Sequence, residues 1–96
     1  MPYYAVEYHY DPATAAQQDE LRLSHRAHLQ HLADNGLLIA SGPLSTSPAS
    51  ALLIFRAESE NHIREALAND PFQVHGYVTD WTITPWAPVI GVFAEK

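Results

Sequence analysis

The sequence predicts an α+β fold, with a four-stranded antiparallel sheet and two helices on one face in the order β-α-β-β-α-β. Three observations predict it. Two stretches carry apolar residues at helical spacing, Leu21 to Leu32 and Ile63 to Leu67. Four stretches rich in Val, Ile, Leu, Tyr and Trp are set between Gly, Pro and Asn breaks. Only two helices separate the four strands, which leaves the middle pair joined by a loop.

The first strand is expected over Tyr3 to Tyr10, with Tyr4, Val6, Tyr8 and Tyr10 on an apolar face and Tyr3, Ala5, Glu7 and His9 on a mixed one. Asp11-Pro12 breaks it. A polar approach from Thr14 to Asp19 leads into the first helix. At about 100° per residue, this helix puts Leu21, His25, Leu29 and Leu32 on one stripe. Asn35-Gly36 should end it, because Gly accepts the left-handed conformation that follows many helices. Leu37 to Ser41 reads as the second strand, stopped by Gly42-Pro43. Leu44 to Ser50 reads as a loop and Ala51 to Arg56 as the third strand. Ser59 is the expected N-cap of the second helix, with Glu60 in its first turn. Asn69-Asp70-Pro71 should terminate that helix, since the residue before proline is pushed out of helical geometry. The fourth strand starts at Val74 or Tyr77 and runs to Thr84. A tail over Pro85 to Glu95 follows, rich in apolar residues.

Antiparallel strands with both helices on one face are the ferredoxin-like arrangement. Leu37-Leu38-Ile39-Ala40 and Leu52-Leu53-Ile54-Phe55 are apolar on both faces, whereas a sheet wet on one side should alternate. The second face is therefore expected to pack on a second copy of the chain, giving a homodimer with the tail at its edge. At 96 residues the chain is read as one domain, 1–96. The formal net charge of −6 and the lack of a basic run oppose nucleic-acid binding. The absence of cysteine removes disulfides and thiolate chemistry. No apolar run approaches the roughly 20 residues that span a bilayer, and the N-terminus lacks a signal-peptide pattern. No membrane contact and a cytoplasmic location are the expectation.

An ionisable ring at the centre of an apolar stripe makes His25 the least expected residue of the chain. It is either a buried, satisfied structural histidine or an acid, base or binding group tuned by burial and a partner. The candidate partner is Asp70, which the topology brings alongside because the two helices lie side by side. Asp70 reads equally well as a side chain that caps a turn. Arg22, at i−3 from His25, lies near the edge of the stripe and is a candidate anion anchor. His25, His28 and His31 are spaced so that each step turns about 60° round the helix, so their rings do not converge on one ion. No metal site and no cofactor are expected. His9 and His75 are either pocket-lining residues or plain surface. Trp81, Trp86 and the tyrosines read as core or interface. Ser24, Ser41 and Ser45 show no nucleophile pattern.

Taken together, Arg22-Leu23-Ser24-His25, Asn35 to Pro43, Leu52 to Phe55, and Asn69-Asp70-Pro71-Phe72 with Gly76 resemble the YciI-like family of the dimeric ferredoxin-like α/β-barrel superfamily. The order and spacing hold over almost the whole chain. Leu23 stands where the family has proline, and His75 where it often has a small or polar residue. The resemblance implies a dimer, with His25 and Asp70 on the family's catalytic pair. Arg22, His9, Ser41, Gly42, Pro43, Phe72 and His75 are the candidate substrate-binding residues beside that pair. It does not imply a substrate: one related enzyme type removes chloride from a chlorinated hydroxyquinol, and sister families include lactone isomerases and cofactor-free monooxygenases. The sequence thus leaves three readings: a cofactor-independent acid–base enzyme (proton abstraction, elimination or isomerisation), a non-catalytic ligand-binding module, and a structural dimer.

Overall fold

A computed structural model describes residues 1–94. Its elements are β1 (Tyr3–Tyr10), α1 (Ala15–Asp34), β2 (Leu38–Leu44), β3 (Ser50–Arg56), α2 (Glu60–Leu67), α3 (Pro71–Val74) and β4 (Val78–Trp86). The strands form one antiparallel sheet in the order β2-β3-β1-β4. This is the ferredoxin-like α+β fold.

Alternation along β1 decides what each face does. Tyr4, Val6 and Tyr8 point into the core and meet Leu53 and Phe55 of β3 and Leu38 of β2. The helices close this face with Leu29 and Leu32 of α1 and Ile63 and Leu67 of α2. By register, Ala5, Glu7 and His9 share the opposite face with Leu52 and Ile54 of β3 and Thr82 and Thr84 of β4. That face mixes apolar and polar residues and has no helix over it.

The helix ends follow from local chemistry. Gly36, at φ +81°, takes the left-handed position after α1. Its N–H reaches the Ala33 carbonyl, and the Leu37 N–H reaches that of Leu32, which satisfies two of the carbonyls the helix leaves open. The Ser59 hydroxyl accepts from the His62 N–H and caps α2.

Four elements differ from the sequence expectation. α1 already starts at Ala15, inside the stretch read as its polar approach, because a short 3-10 turn over Pro12–Thr14 leads straight into it. β2 does not stop at Gly42-Pro43 but runs through it to Leu44. It is an edge strand, where a residue without an N–H need not break the ladder. Asp70-Pro71 ends one helix and also starts another: the Asp70 carboxylate caps α3, and Pro71 at its first position has its backbone angle already set. β4 consequently begins later than expected, at Val78, and continues through Pro85 to Trp86. Of the tail, Phe93 packs its ring against Tyr3 and Trp86, while Val89, Ile90 and Val92 are exposed. Glu95 lies outside the described residues.

Ile63 and Leu67 are fully buried between α2 and the sheet. Leu67→Ala is expected to cost about 2–5 kcal/mol of stability, the range for deleting a buried leucine side chain. Urea unfolding measures it, and a loss below about 1 kcal/mol would show that α2 is loosely packed.

Candidate active site

The site is built on one carboxylate. Asp70 has no exposed surface. Burial of a carboxylate costs several kcal/mol unless donors replace its water, and three do so here. Its Oδ1 accepts from the Phe72 N–H at 3.1 Å and from His25 Nδ1 at 2.7 Å. Its Oδ2 accepts from the Tyr8 hydroxyl at 3.0 Å. The donors come from α3, α1 and β1. The two sequence readings of Asp70, cap and histidine partner, are therefore both true of the same oxygen.

His25 is 7% exposed and lies on the stripe expected for it, above Leu29 and Leu32. A carboxylate oxygen only accepts, so Nδ1 carries the proton in this contact. The Phe72 ring stacks on the imidazole with centroids 4.0 Å apart and planes at 4°. Tyr10 meets the edge of Phe72 at 5.7 Å. Ring plane and ring direction are thus both fixed. Nε2 has no hydrogen-bond partner among the described residues, and His25 lines a cleft of about 530 Å³.

The cleft runs between α1 and the edge strand β2. Arg22, His25, Ser41, Gly42, Pro43 and Phe72 line it, so the fold brings together most of the residues singled out from the sequence. Asp70 stands behind His25. Arg22 is paired with Asp19 one turn earlier. Two residues lie elsewhere. His9 is half exposed on the opposite face of the sheet, 3.8 Å from Glu7. His75 is exposed and packs on Tyr77, away from the cleft.

Tyr8, Tyr10, Gln18 and Arg26 belong to the site and were not singled out. A signal for Tyr8 was present, because a hydroxyl on a buried strand face must find a partner. Gln18, also buried, lines the cleft and donates to the Asp11 carbonyl and the Thr14 hydroxyl at the start of α1. Tyr8 is held well above the usual tyrosine range, first by burial and then by the negative charge of Asp70. Burial, then Asp70, pushes Tyr10 up to about 12, against the opposing pull of Arg22. Both phenols therefore stay protonated at ordinary pH, and Tyr8 donates to Asp70.

His28 Nε2 meets the Ala66 carbonyl at 2.8 Å and ties α1 to α2, whereas His31 contacts Asn35. Among the described residues, no three His, Asp or Glu side chains cluster closely enough to hold a metal ion. No helix among them is long and apolar enough to cross a membrane.

The model of the YCII-related domain matches residues 1–87. No curated protein sequence matches the chain. Two solved structures are similar. One is 5-chloro-2-hydroxyhydroquinone dehydrochlorinase from Burkholderia phenoliruptrix, in complex with 2,5-dihydroxybenzoquinone. It has a TM-score of 0.75 and 20% identity over 88% of this chain and 92% of that one. The other is an uncharacterised NIPSNAP domain protein from Burkholderia xenovorans, with a TM-score of 0.58 and 13% identity over the whole of both chains. At these identities the likeness is one of fold.

The tyrosines give the site an alkaline limit. An unfolded tyrosine loses its proton near pH 10, whereas folded Tyr10 holds it to about 12. Above pH 10 the unfolded state thus binds fewer protons than the folded state. The contribution to stability is complete below pH 10 and falls as pH rises towards 12. Tyr8 acts in the same direction. Denaturant unfolding should show this decline, and Tyr10→Phe should make it shallower. Tyr8→Phe should also cost about 1–3 kcal/mol at neutral pH, by leaving Asp70 Oδ2 without its donor. A wild-type stability that stays flat from pH 10 to 12 would show that both phenols ionise within the native state.

Proposed function

The chain belongs to the YCII-related domain family, and we propose that it is a small cofactor-independent enzyme whose acid–base group is His25. One observation carries the reading: a fully buried carboxylate holds Nδ1 of His25, Nε2 has no hydrogen-bond partner among the described residues, and the same residue lines a cleft. With its proton on Nδ1, the neutral ring offers the Nε2 lone pair as a base. A proton taken from a ligand makes the ring an imidazolium, and Asp70 at 2.7 Å stabilises that charge. Asp70 does so without touching the ligand, which makes it a positioning residue.

The electron pair released on the ligand has two outlets. It expels a leaving group from the adjacent carbon, forming a double bond, or it shifts along the ligand and is protonated elsewhere by the imidazolium. The first is elimination and the second isomerisation. Stacking on Phe72 holds the ring ready for either, without reorganisation during the step. Ser41, Gly42 and Pro43 form the opposite wall. The similar dehydrochlorinase, in complex with a quinone, supports a small cyclic compound as ligand.

A second reading has its own support. Asp70 also caps α3 and receives Tyr8, so the pair serves the fold whether or not the cleft turns anything over. In that reading the cleft binds a small compound without changing it.

The assembly belongs to the same proposal. Half-buried Leu52 of β3 and, across β1 on the same sheet face, Trp86 at 39% exposure suit a second copy packed face to face. A homodimer by light scattering is the expected result; a stable monomer at micromolar concentration would remove this part.

Mass spectrometry of protein purified from its own host would identify a retained compound. Turnover of that compound is expected to fall by about 10²-fold or more in His25→Ala. The His25→Ala/Asp70→Asn double variant should be no worse, because the two act as one unit. A compound retained tightly but unchanged by wild-type protein would replace the enzyme reading with the binding one.

A further inference from the structure

The cleft and the chain have opposite charge. The sequence holds 11 Asp+Glu against 5 Lys+Arg. Yet no Asp or Glu lines the cleft, and two arginines do, Arg22 and Arg26. They stand on consecutive turns of α1, one on each side of His25 in sequence, so their side chains neighbour each other at i, i+4. Arg22 already has Asp19 as a partner. Arg26 has no ion-pair partner among the described residues. Asp70 is sealed behind His25 with its oxygens engaged by three donors. Leu29, Ala33, Leu38, Leu53 and Phe72 supply the apolar part of the wall, beside the polar side chains of Gln18, Gln30, Ser41 and Ser50, and Tyr10 meets the edge of Phe72.

Taking the cleft as a small-molecule site, as the reading above does, we propose that its ligand is a small organic anion, an apolar ring bearing a carboxylate or phenolate, and that Arg26 is the residue that binds its charge, with Arg22 beside it. A guanidinium meets a carboxylate through two parallel N–H donors, which fixes orientation as well as charge. A chain of net negative charge repels anions at long range, so a local pair of cations is what a site for an anion needs here. The same pair favours the step at His25. Removing a proton from an anion adds a second negative charge to it, and the Arg26 guanidinium, with no carboxylate partner among the described residues, favours that charge where it develops. The cleft volume of about 530 Å³ accommodates one such ring.

Calorimetric titration of the full chain with benzoate and with benzamide at neutral pH tests the proposal, since the two probes share a ring and differ in charge. Benzoate should bind about tenfold or more tightly than benzamide. Arg26→Gln should remove about tenfold of the benzoate affinity and leave benzamide unchanged. Arg64→Gln removes the same charge from α2, where Arg64 pairs with Glu60 outside the cleft, and should change neither affinity. Amide shifts on benzoate addition should centre on His25, Arg26 and Ser41. Equal affinity for the two probes, including no binding of either, overturns the proposal. So does an equal effect of Arg26→Gln and Arg64→Gln. The ring-nitrogen signals of His25 keep this result apart from the acid–base reading. That reading falls if the neutral ring is not the Nδ1–H tautomer, whatever benzoate does.

Discussion

A carboxylate with no access to water has to be met by donors in fixed places, and Asp70 imposes that demand on most of the molecule. Its two oxygens gather a hydroxyl from β1, an imidazole from α1 and a backbone N–H from α3. These segments are 62, 45 and 2 residues away in sequence. Removing one partner of such a buried pair typically costs about 3–5 kcal/mol, because the remaining charge is left uncompensated. The relative placement of β1, α1 and the α2–α3 junction is therefore tied to the same atoms that orient His25. Asp70-Pro71-Phe72 is the compact expression of this. One residue supplies the charge, the next presets the turn, and the third gives both an N–H to the carboxylate and a ring to stack on the imidazole.

Much of this was legible in the sequence where the information was local. The stripe of Leu29 and Leu32 around His25, the Asn35-Gly36 end of α1 and the Ser59 cap all depend on residues within a turn or two of each other. Alternation in β1 separated the tyrosines that face the core from His9 and Glu7. What failed had a different cause in each case. α3 was hidden because Asp-Pro signals both a stop and a start, and only the following residues, packed in three dimensions, decide that a new turn forms. Gly42-Pro43 reads locally as a break in β2, whereas position at the edge of the sheet makes proline tolerable there. Tyr8 was counted as core for its ring, although its hydroxyl was the informative atom. His75 reads from the sequence as pocket-lining or surface, and the turn after α3 carries it onto Tyr77, outside the cleft. The separation between His25 and Asp70 is too long for any spacing rule, so their meeting depended on recognising the topology.

The aromatic residues divide the labour in a way that composition alone hides. Tyr8 and Tyr10 stand edge to face, as do Tyr10 and Phe72, and Phe72 lies flat on His25. This series of rings leads from the sealed carboxylate to the cleft. The phenol at its inner end holds Asp70, whereas the phenol near its outer end lines the cleft. Two tyrosines two residues apart on one strand face thus differ in role because one lies deeper than the other.

The prolines within β2 and β4 have a consequence beyond tolerance. These are the two outer strands, and each contains one, Pro43 and Pro85. Proline is held in a strand where its nitrogen faces away from the neighbour already paired. On both flanks, then, the row of groups offered to solvent lacks one donor, and a strand arriving there would find a carbonyl of its own unanswered. Such gaps discourage the runaway edge-to-edge growth to which exposed strands are prone.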